Sequence, residues 1–298
     1  MSPISPDHTT KREIEGSYTK SFPSAHFTYD VTPDVKAHVS WSTSFGRPSM
    51  LSLVPGESFN DTTKELTINN PSLKPQTATN WDATLDYYFE PVGNLSVGWF
   101  RKEIKDYIVS GISQGTVATG AGNGYDGEYG GYNLLTSSNA GTAFVQGWEL
   151  SYQQQFTFLP GLWRGLGFAA NYTRIVTHGD FGGTAQLSTN QVAGFIPQTG
   201  NLNLSWRYRS FSTRLGLNYT GDYIASYTAA SVGRNVYKYK RTVTNLGLAY
   251  RVSSAVSLTL DVANFTNEPQ GQYRGISDQM ERTILAGTAI TVGIGGRF

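Results

Sequence analysis

The sequence predicts an all-β chain: about eleven antiparallel, up-and-down strands of a transmembrane barrel, with short periplasmic turns and long extracellular loops. Three observations predict it. The first is the C-terminal stretch. Ile290, Val292, Ile294 and Phe298 share one parity, and Thr291, Gly293, Gly295 and Arg297 the other, which is the period of a strand. Chain ends fray unless tied down, so a terminal strand this apolar suits a barrel, whose last strand has to close and leave no edge in lipid. The second is composition. Of 298 residues, 15% are charged, 13% are aromatic and 33 are glycine, where soluble domains carry about 25% charge. Mean hydropathy is nevertheless −0.32, and no run approaches the roughly 18 apolar residues of a membrane helix. Strands apolar on one face only reconcile those values. The third is the sorting of connection lengths, set out below.

Taken in order, Phe27 and Tyr29 lead to a turn at Thr32-Pro33-Asp34. Val35, Ala37, Val39 and Trp41 then alternate with Lys36, His38, Ser40 and Ser42. Trp81, Ala83, Leu85, Tyr87 and Phe89 alternate with Asp82, Thr84, Asp86 and Tyr88. After the turn Glu90-Pro91-Val92-Gly93 come Leu95, Val97 and Trp99, and parity slips at Trp99-Phe100, where a bulge is expected. Trp148, Leu150 and Tyr152 form the next apolar set, followed by a Pro160-Gly161 turn and Leu166, Phe168, Ala170 and Tyr172. Leu202, Leu204, Trp206 and Tyr208 reach a tight turn at Arg209-Ser210, after which Phe211, Thr213, Leu215, Leu217 and Tyr219 return. Leu246, Leu248 and Tyr250, then Leu258, Leu260 and Val262, precede the terminal strand.

Most of these strands are expected to run about ten residues, the length of a tilted membrane-crossing strand. The connections near 31–34, 90–93, 158–163, 209–210 and 251–255 are short; those near 45–78, 106–142, 177–198, 223–239 and 265–286 are long. The two kinds alternate without exception, as periplasmic turns and extracellular loops do. Phe89, Phe156, Phe158, Trp163, Tyr208, Phe211, Tyr250 and Phe298 gather at the short-turn end, and Trp41, Trp81, Tyr172, Tyr219 and Tyr223 toward the other, giving two interfacial belts.

The opposite parity carries Asp82, Asp86, Glu149, Asn171, Arg207, Arg214, Asn218, Asn245 and Asp261, with His26, His38, Asp30 and Lys36, and is read as a hydrated lumen wall. A net charge of +1 gives no bulk pull toward nucleic acid. The absence of cysteine excludes disulfides and thiolate metal sites. Met1 to Ser21 is polar, with no basic segment leading into an apolar one, so it does not read as a signal peptide. Bacterial single-chain barrels have even strand numbers. Eleven strands therefore suggest the C-terminal part of a longer chain, with residues 1–20 a remnant of an extracellular loop and 21–298 the barrel segment.

Several stretches resemble one family. GRPSMLSLVPG at 46–56 and NNPSLKPQTATNWD at 69–82 are similar to the NPxLKPExxxNxE signature of TonB-dependent outer-membrane receptors, with Gln76 in place of the usual Glu. FVQGWELSYQQQF at 144–156 resembles the family's GxELs strand, and VANFTNEPQGQYRG at 262–275 its near-terminal NLfN segment. The strand carrying Ile290, Val292, Ile294 and Phe298 resembles its assembly signal, read by the barrel-assembly machinery. The resemblance covers roughly residues 20–298. It implies the second half of a twenty-two-stranded barrel in the bacterial outer membrane. It also implies a plug domain and first barrel half outside this sequence, and coupling to the TonB complex through those missing parts. The implied activity is extracellular binding of a siderophore, carbohydrate or similar nutrient and plug-gated passage, without cofactor or covalent chemistry. The lumen set would then face plug or substrate.

Within the long loop 106–142, Tyr125, Asp126, Glu128, Tyr129 and Tyr132 are the candidate ligand-contacting residues, because aromatic faces beside carboxylates stack on and hydrogen-bond to sugars or siderophores. A solvated loop explains them as simply. Gly122, Gly124 and Gly127 spell GxGxxG, but no strand-to-helix context surrounds them, so a dinucleotide site is not expected. His178 and Asp180 lack a second acidic pair that would make a surface protease, and no ligand-spaced metal cluster is present. Two alternatives stand beside the receptor reading. A diffusion porin requires a charged constriction loop, and a barrel enzyme requires a catalytic constellation at the strand tips.

Overall fold

The computed structural model describes residues 19–179, 189–228 and 231–296. Its elements are β1 (Ser24–Thr32), β2 (Val35–Gly46), the short helix α1 (Met50–Leu53), β3 (Glu57–Asn60), β4 (Glu65–Ile68), β5 (Gln76–Phe89), β6 (Gly93–Thr116), β7 (Asn133–Gln155), β8 (Leu166–Gly179), β9 (Gln198–Tyr208), β10 (Phe211–Thr220), β11 (Tyr223–Ser226), β12 (Val236–Lys238), β13 (Arg241–Arg251), β14 (Val256–Ala263), β15 (Gln270–Arg274), β16 (Met280–Ile284) and β17 (Ala289–Gly296). The main sheet is the meander β1-β2-β5-β6-β7-β8-β9-β10-β13-β14-β17. Its neighbours pair antiparallel, and its eleven members are the eleven strands expected from alternation.

The turn chemistry follows the sequence. Residues 33–34 form a two-residue hairpin between the paired Thr32 and Val35, and 209–210 another between Tyr208 and Phe211, with Arg209 at φ 51°. The turn between β7 and β8 holds a 3-10 helix, Gly161–Gly165. Strict antiparallel succession puts every short turn at one end and every long connection at the other. The long connections carry structure of their own. β3 and β4 form a hairpin, and β4 adds parallel to the far end of β7. β11, β12, β15 and β16 form a separate four-stranded sheet from two different connections.

Two expectations are corrected. The parity slip at Trp99-Phe100 is not a bulge, because β5 and β6 stay in continuous register from Thr77↔Lys105 to Phe89↔Gly93. Trp99 keeps the apolar face, opposite Ala83 and Trp148. Phe100 instead points to the polar face and lies over Gly147, where a Cβ would stand 2.9 Å from the ring and 2.4 Å from the Arg174 carbonyl oxygen. Glycine there makes room for an inward aromatic. Strand length is the second correction. β6 has 24 residues and β7 has 23, so most of the expected loop 106–142 is an extended hairpin, leaving 117–132 as its tip. Register shifts between Val109/Ile112 and Ser113/Thr116 break the period-2 pattern, and so hide this extension from a parity reading.

The sheet is apolar outside and polar inside. Cross-strand rows such as Leu85–Val97–Leu150–Tyr172 and Leu204–Leu215–Leu246–Val262–Ile290 share the outer face. Trp148 is 59% exposed and Val292 75%, which a bilayer would cover and water would not tolerate over such an area. Aromatic pairs line the short-turn end of this face: Phe89–Tyr152, Tyr152–Phe168 and Trp206–Phe211 have centroids 5.7–6.0 Å apart. The two clusters of buried apolar residues lie at the long-loop end, around Leu66, Val117 and Tyr132 and around Ile104, Ala143 and Val192.

Candidate functional site

The inner wall is built by register. Asp86, Ser96, Ser151, Asn171, Asn201 and Asn218 lie side by side on successive strands β5 to β10, and the Asn201 amide donates to Asn171 Oδ1 at 2.9 Å. On the β1 side, Lys36 Nζ lies 3.2 Å from Asp30 and His38 Nε2 lies 3.4 Å from Asp86. Ser40 donates to Asp82 at 3.3 Å. Glu149 lies opposite Gly98 and Thr173. Toward β14, a concavity of about 620 Å³ is lined by Arg207, Arg214, Thr259 and Asp261. There a Cβ on Gly247 would sit 3.1 Å from Asp261 Oδ1 and 3.8 Å from an Arg214 guanidinium nitrogen. Asp82, Asp86, Glu149, Asn171, Arg207, Arg214, Asn218, Asn245 and Asp261 therefore share one face. Few charges are spread among hydroxyls and amides, a surface suited to hydrogen bonding with a polar occupant.

The loop candidates divide. Tyr125, Tyr129 and Tyr132 come together edge to face, with centroids 5.6 and 5.5 Å apart, and Phe59 of β3 joins at 5.3 Å. Tyr132 is buried against Leu66 and Val117, donates its hydroxyl to Asp61 and lies under the Lys64 ammonium. It serves as the small core of the loop. Tyr125 and Tyr129 are half-buried, and Asp126 and Glu128 are exposed. Desolvation and then the Glu57 carboxylate push the Tyr125 hydroxyl above its ordinary range, and desolvation followed by Glu128 does the same for Tyr129. Both therefore stay neutral donors. Asn123 holds the tip. Its amide donates to the Ala118 and Glu128 carbonyls, and its Oδ1 accepts from the Tyr125 and Gly127 amides. The glycines of the GxGxxG serve this turn, and no helix follows them.

The NPxLKP-like stretch proves to be a clamp between β5 and the β6–β7 hairpin, a role its sequence did not reveal. The Asn70 amide donates to the Ser137 carbonyl. Asn139 Oδ1 accepts from Lys74 N, and its amide donates to the Lys74 and Asp106 carbonyls. Gln76 Oε1 accepts from Ile108 N at 3.3 Å. The pairs lie far apart in sequence, so only the matching pattern of Asn and Lys pointed to them. His178 stacks on Phe144 at 5.6 Å, while Asp180 lies outside the described residues. In β17, Ile290, Val292 and Ile294 project from the outer face, and Phe298 lies outside the described residues. Among the described residues, no three His, Asp or Glu side chains group as metal ligands.

An open meander, apolar outside and polar inside, with one end of turns and one end of structured loops, defines the class: a segment of an outer-membrane-type β-barrel. Residues 5–265 match the model of the TonB dependent receptor-like β-barrel family, and the chain belongs to that family. No curated protein sequence matches it. Among solved structures it is similar to a mutant of the ferric enterobactin receptor PfeA from Pseudomonas aeruginosa, at 19% identity and TM-score 0.70 over 93% of this chain and 40% of that one. It is similar to the siderophore receptor PirA from Acinetobacter baumannii, at 18% and 0.67 over 93% and 41%. The ferric-catecholate import receptor Fiu from E. coli follows at 17% and 0.63 over 91% and 34%. This chain thus spans about 40% of the length of the receptors it matches first.

Proposed function

We propose that the chain forms the C-terminal half of the barrel of an outer-membrane, TonB-coupled uptake receptor, and that residues 21–298 are that half. The observation that carries this reading is the inside-polar meander with loops sorted by end, in a chain of this family. The nutrient, a siderophore, a carbohydrate or a compound of similar size, binds at the extracellular loops around Tyr125, Asp126, Glu128 and Tyr129. It passes along the wall of Asp82, Asp86, Glu149, Asn171, Arg207, Arg214, Asn218 and Asp261 when a plug domain rearranges. The plug, the other barrel half and the TonB contact are supplied by sequence outside residues 1–298, and the strand at Ile290, Val292 and Ile294 is the segment engaged by the assembly machinery.

The test is deletion of the gene that encodes the chain, followed by uptake of ferric enterobactin and of maltohexaose by whole cells. Loss of uptake of one probe, with a protonophore abolishing the same uptake in the parent, supports the receptor. Protonophore-insensitive uptake that depends on the gene indicates a porin instead.

A further inference from the structure

Between β8 and β9 the ladder holds less chain than is present. Gly179 N donates to the Asn190 carbonyl at 2.7 Å and Ile175 N to the Pro197 carbonyl at 2.8 Å, so the strand side advances four residues while the facing chain advances seven. The surplus must leave the sheet plane, and it leaves toward the inside. Val192 N donates to Thr177 Oγ1 at 3.0 Å, and Thr177 shares the inward parity of Asn171 and Thr173. Val192 is 2% exposed and packs on Ile104 of β6 and Ala143 of β7, with Ala78 and Phe195 around it. Ala78, Ile104 and Ala143 lie opposite one another in register and form an apolar patch in a mainly polar wall. Crossing β7 to reach β6 carries the segment about 10 Å along the inner face, at about 4.8 Å per strand. Its other side is tied to the outer loops. Gly194 N donates to the Ile224 carbonyl at 2.9 Å, and the Tyr227 hydroxyl lies 2.8 and 2.7 Å from the Thr189 and Gln191 carbonyls.

We infer that residues 191–197 are a re-entrant strap, seated by Val192 in an apolar socket of the inner wall, that narrows the mouth and sets the size of cargo able to enter before the strap is displaced. This rests on the transport reading. An apolar socket inside a hydrated passage has no use unless something covers it, and here the strap does. Ions and water pass beside the strap, and cargo as large as ferric enterobactin or maltohexaose has to lift Val192 out.

Residues 1–298 contain no cysteine, so labelling of the unsubstituted parent measures any thiol background from the rest of the gene product, and the introduced thiols are read above it. In outer membranes from cells carrying the whole gene, Val192→Cys should react with a membrane-impermeant maleimide at least about tenfold more slowly than Gln191→Cys, which is exposed. Adding Phe195→Asp should raise the Val192→Cys rate toward that of Gln191→Cys. Equal rates for the two single variants would overturn the seated strap. In the same cells, Ala143→Cys/Val192→Cys, joined by a short bifunctional thiol reagent, should lower uptake of whichever probe, ferric enterobactin or maltohexaose, depends on the gene. The expected loss is about tenfold, with the singly substituted proteins treated alike as controls. Unchanged uptake in the joined protein would overturn the barrier. If neither probe depends on the gene, the transport reading falls and the barrier with it, while the labelling result still decides whether the strap is seated.

Discussion

At the residue scale, the two faces of β17 make opposite demands on a substituent. Val292 is 75% exposed on the apolar side, whereas Thr291 faces inward opposite Asp261. An arginine on a lipid-facing strand position costs about 2–4 kcal/mol at the bilayer midplane and about 0–1 near the interfaces. Val292→Arg should therefore sharply reduce the folded protein recovered in outer-membrane fractions. Thr291→Arg should leave it near the parent amount, since its charge meets water and the Asp261 carboxylate. Equal recovery of the two variants would contradict the assignment of faces. Facing was legible in the sequence because alternation is local: Asp86, Asn171 and Asn218 meet on one wall because each strand keeps its own period. Phe100 was not legible as an inward residue, because its place depends on Gly147, a partner far along the chain. The loop tyrosines were legible as a group. The burial of Tyr132 was not, because it is made by Leu66, Asp61 and Lys64 from a different connection.

At the element scale, long strands whose period persists over most of their length were found, and the register-shifted far ends of β6 and β7 were not. The extensions of β6 and β7 beyond the expected loop boundary are held by the clamp from Asn70, Lys74 and Asn139 and by separate apolar contacts of Tyr107, Val109 and Leu134 rather than by one alternating apolar stripe. The four-stranded sheet of β11, β12, β15 and β16 escaped a strand-by-strand reading for a related reason, since its short strands come from two separate connections. Its outer hairpin carries one strong polar contact. Glu281 of β16 accepts from Arg274 Nε of β15 at 2.7 Å and from Gln272 at 2.7 Å. The Arg274 hydrogen bond, then that of Gln272, holds the Glu281 carboxyl below its ordinary value of 4.5. A depressed carboxyl contributes stability above its unfolded pKa and loses it as pH falls through the folded one. Exchange protection of the β15 and β16 amides, corrected for intrinsic rates, should therefore hold steady from neutral pH down to about the ordinary carboxylate range and fall below it. Glu281→Gln should be less protected at neutral pH and nearly flat across the same window. A Glu281→Gln profile that follows the parent would show that this contact does not hold the hairpin.

At the scale of the whole molecule, strand direction decides what can complete the sheet. Among the described residues, β1 and β17 each pair with one neighbour, β2 and β14, and no pairing joins them to each other. β1 runs into the short turn at 33–34, and β17 runs away from a long connection, so both edges point toward the short-turn end. Antiparallel closure of one on the other is impossible. A second copy in the same membrane orientation presents the same two directions, so two copies cannot close antiparallel either. A complement that closed both seams antiparallel would be a sheet whose two edges both run toward the long-loop end, which means another odd number of up-and-down strands. Parallel closure is not forbidden physically, since a mitochondrial barrel with an odd strand count closes, but its hydrogen bonds are slanted and somewhat weaker. The 298-residue chain refolded alone into lipid should therefore lack the heat-dependent gel mobility of a closed barrel. A Thr28→Cys/Thr291→Cys variant should form no disulfide within one chain or between two. A heat-modifiable band together with that crosslink would show that the chain closes on itself through a parallel seam, and the requirement for an odd-stranded complement would be withdrawn.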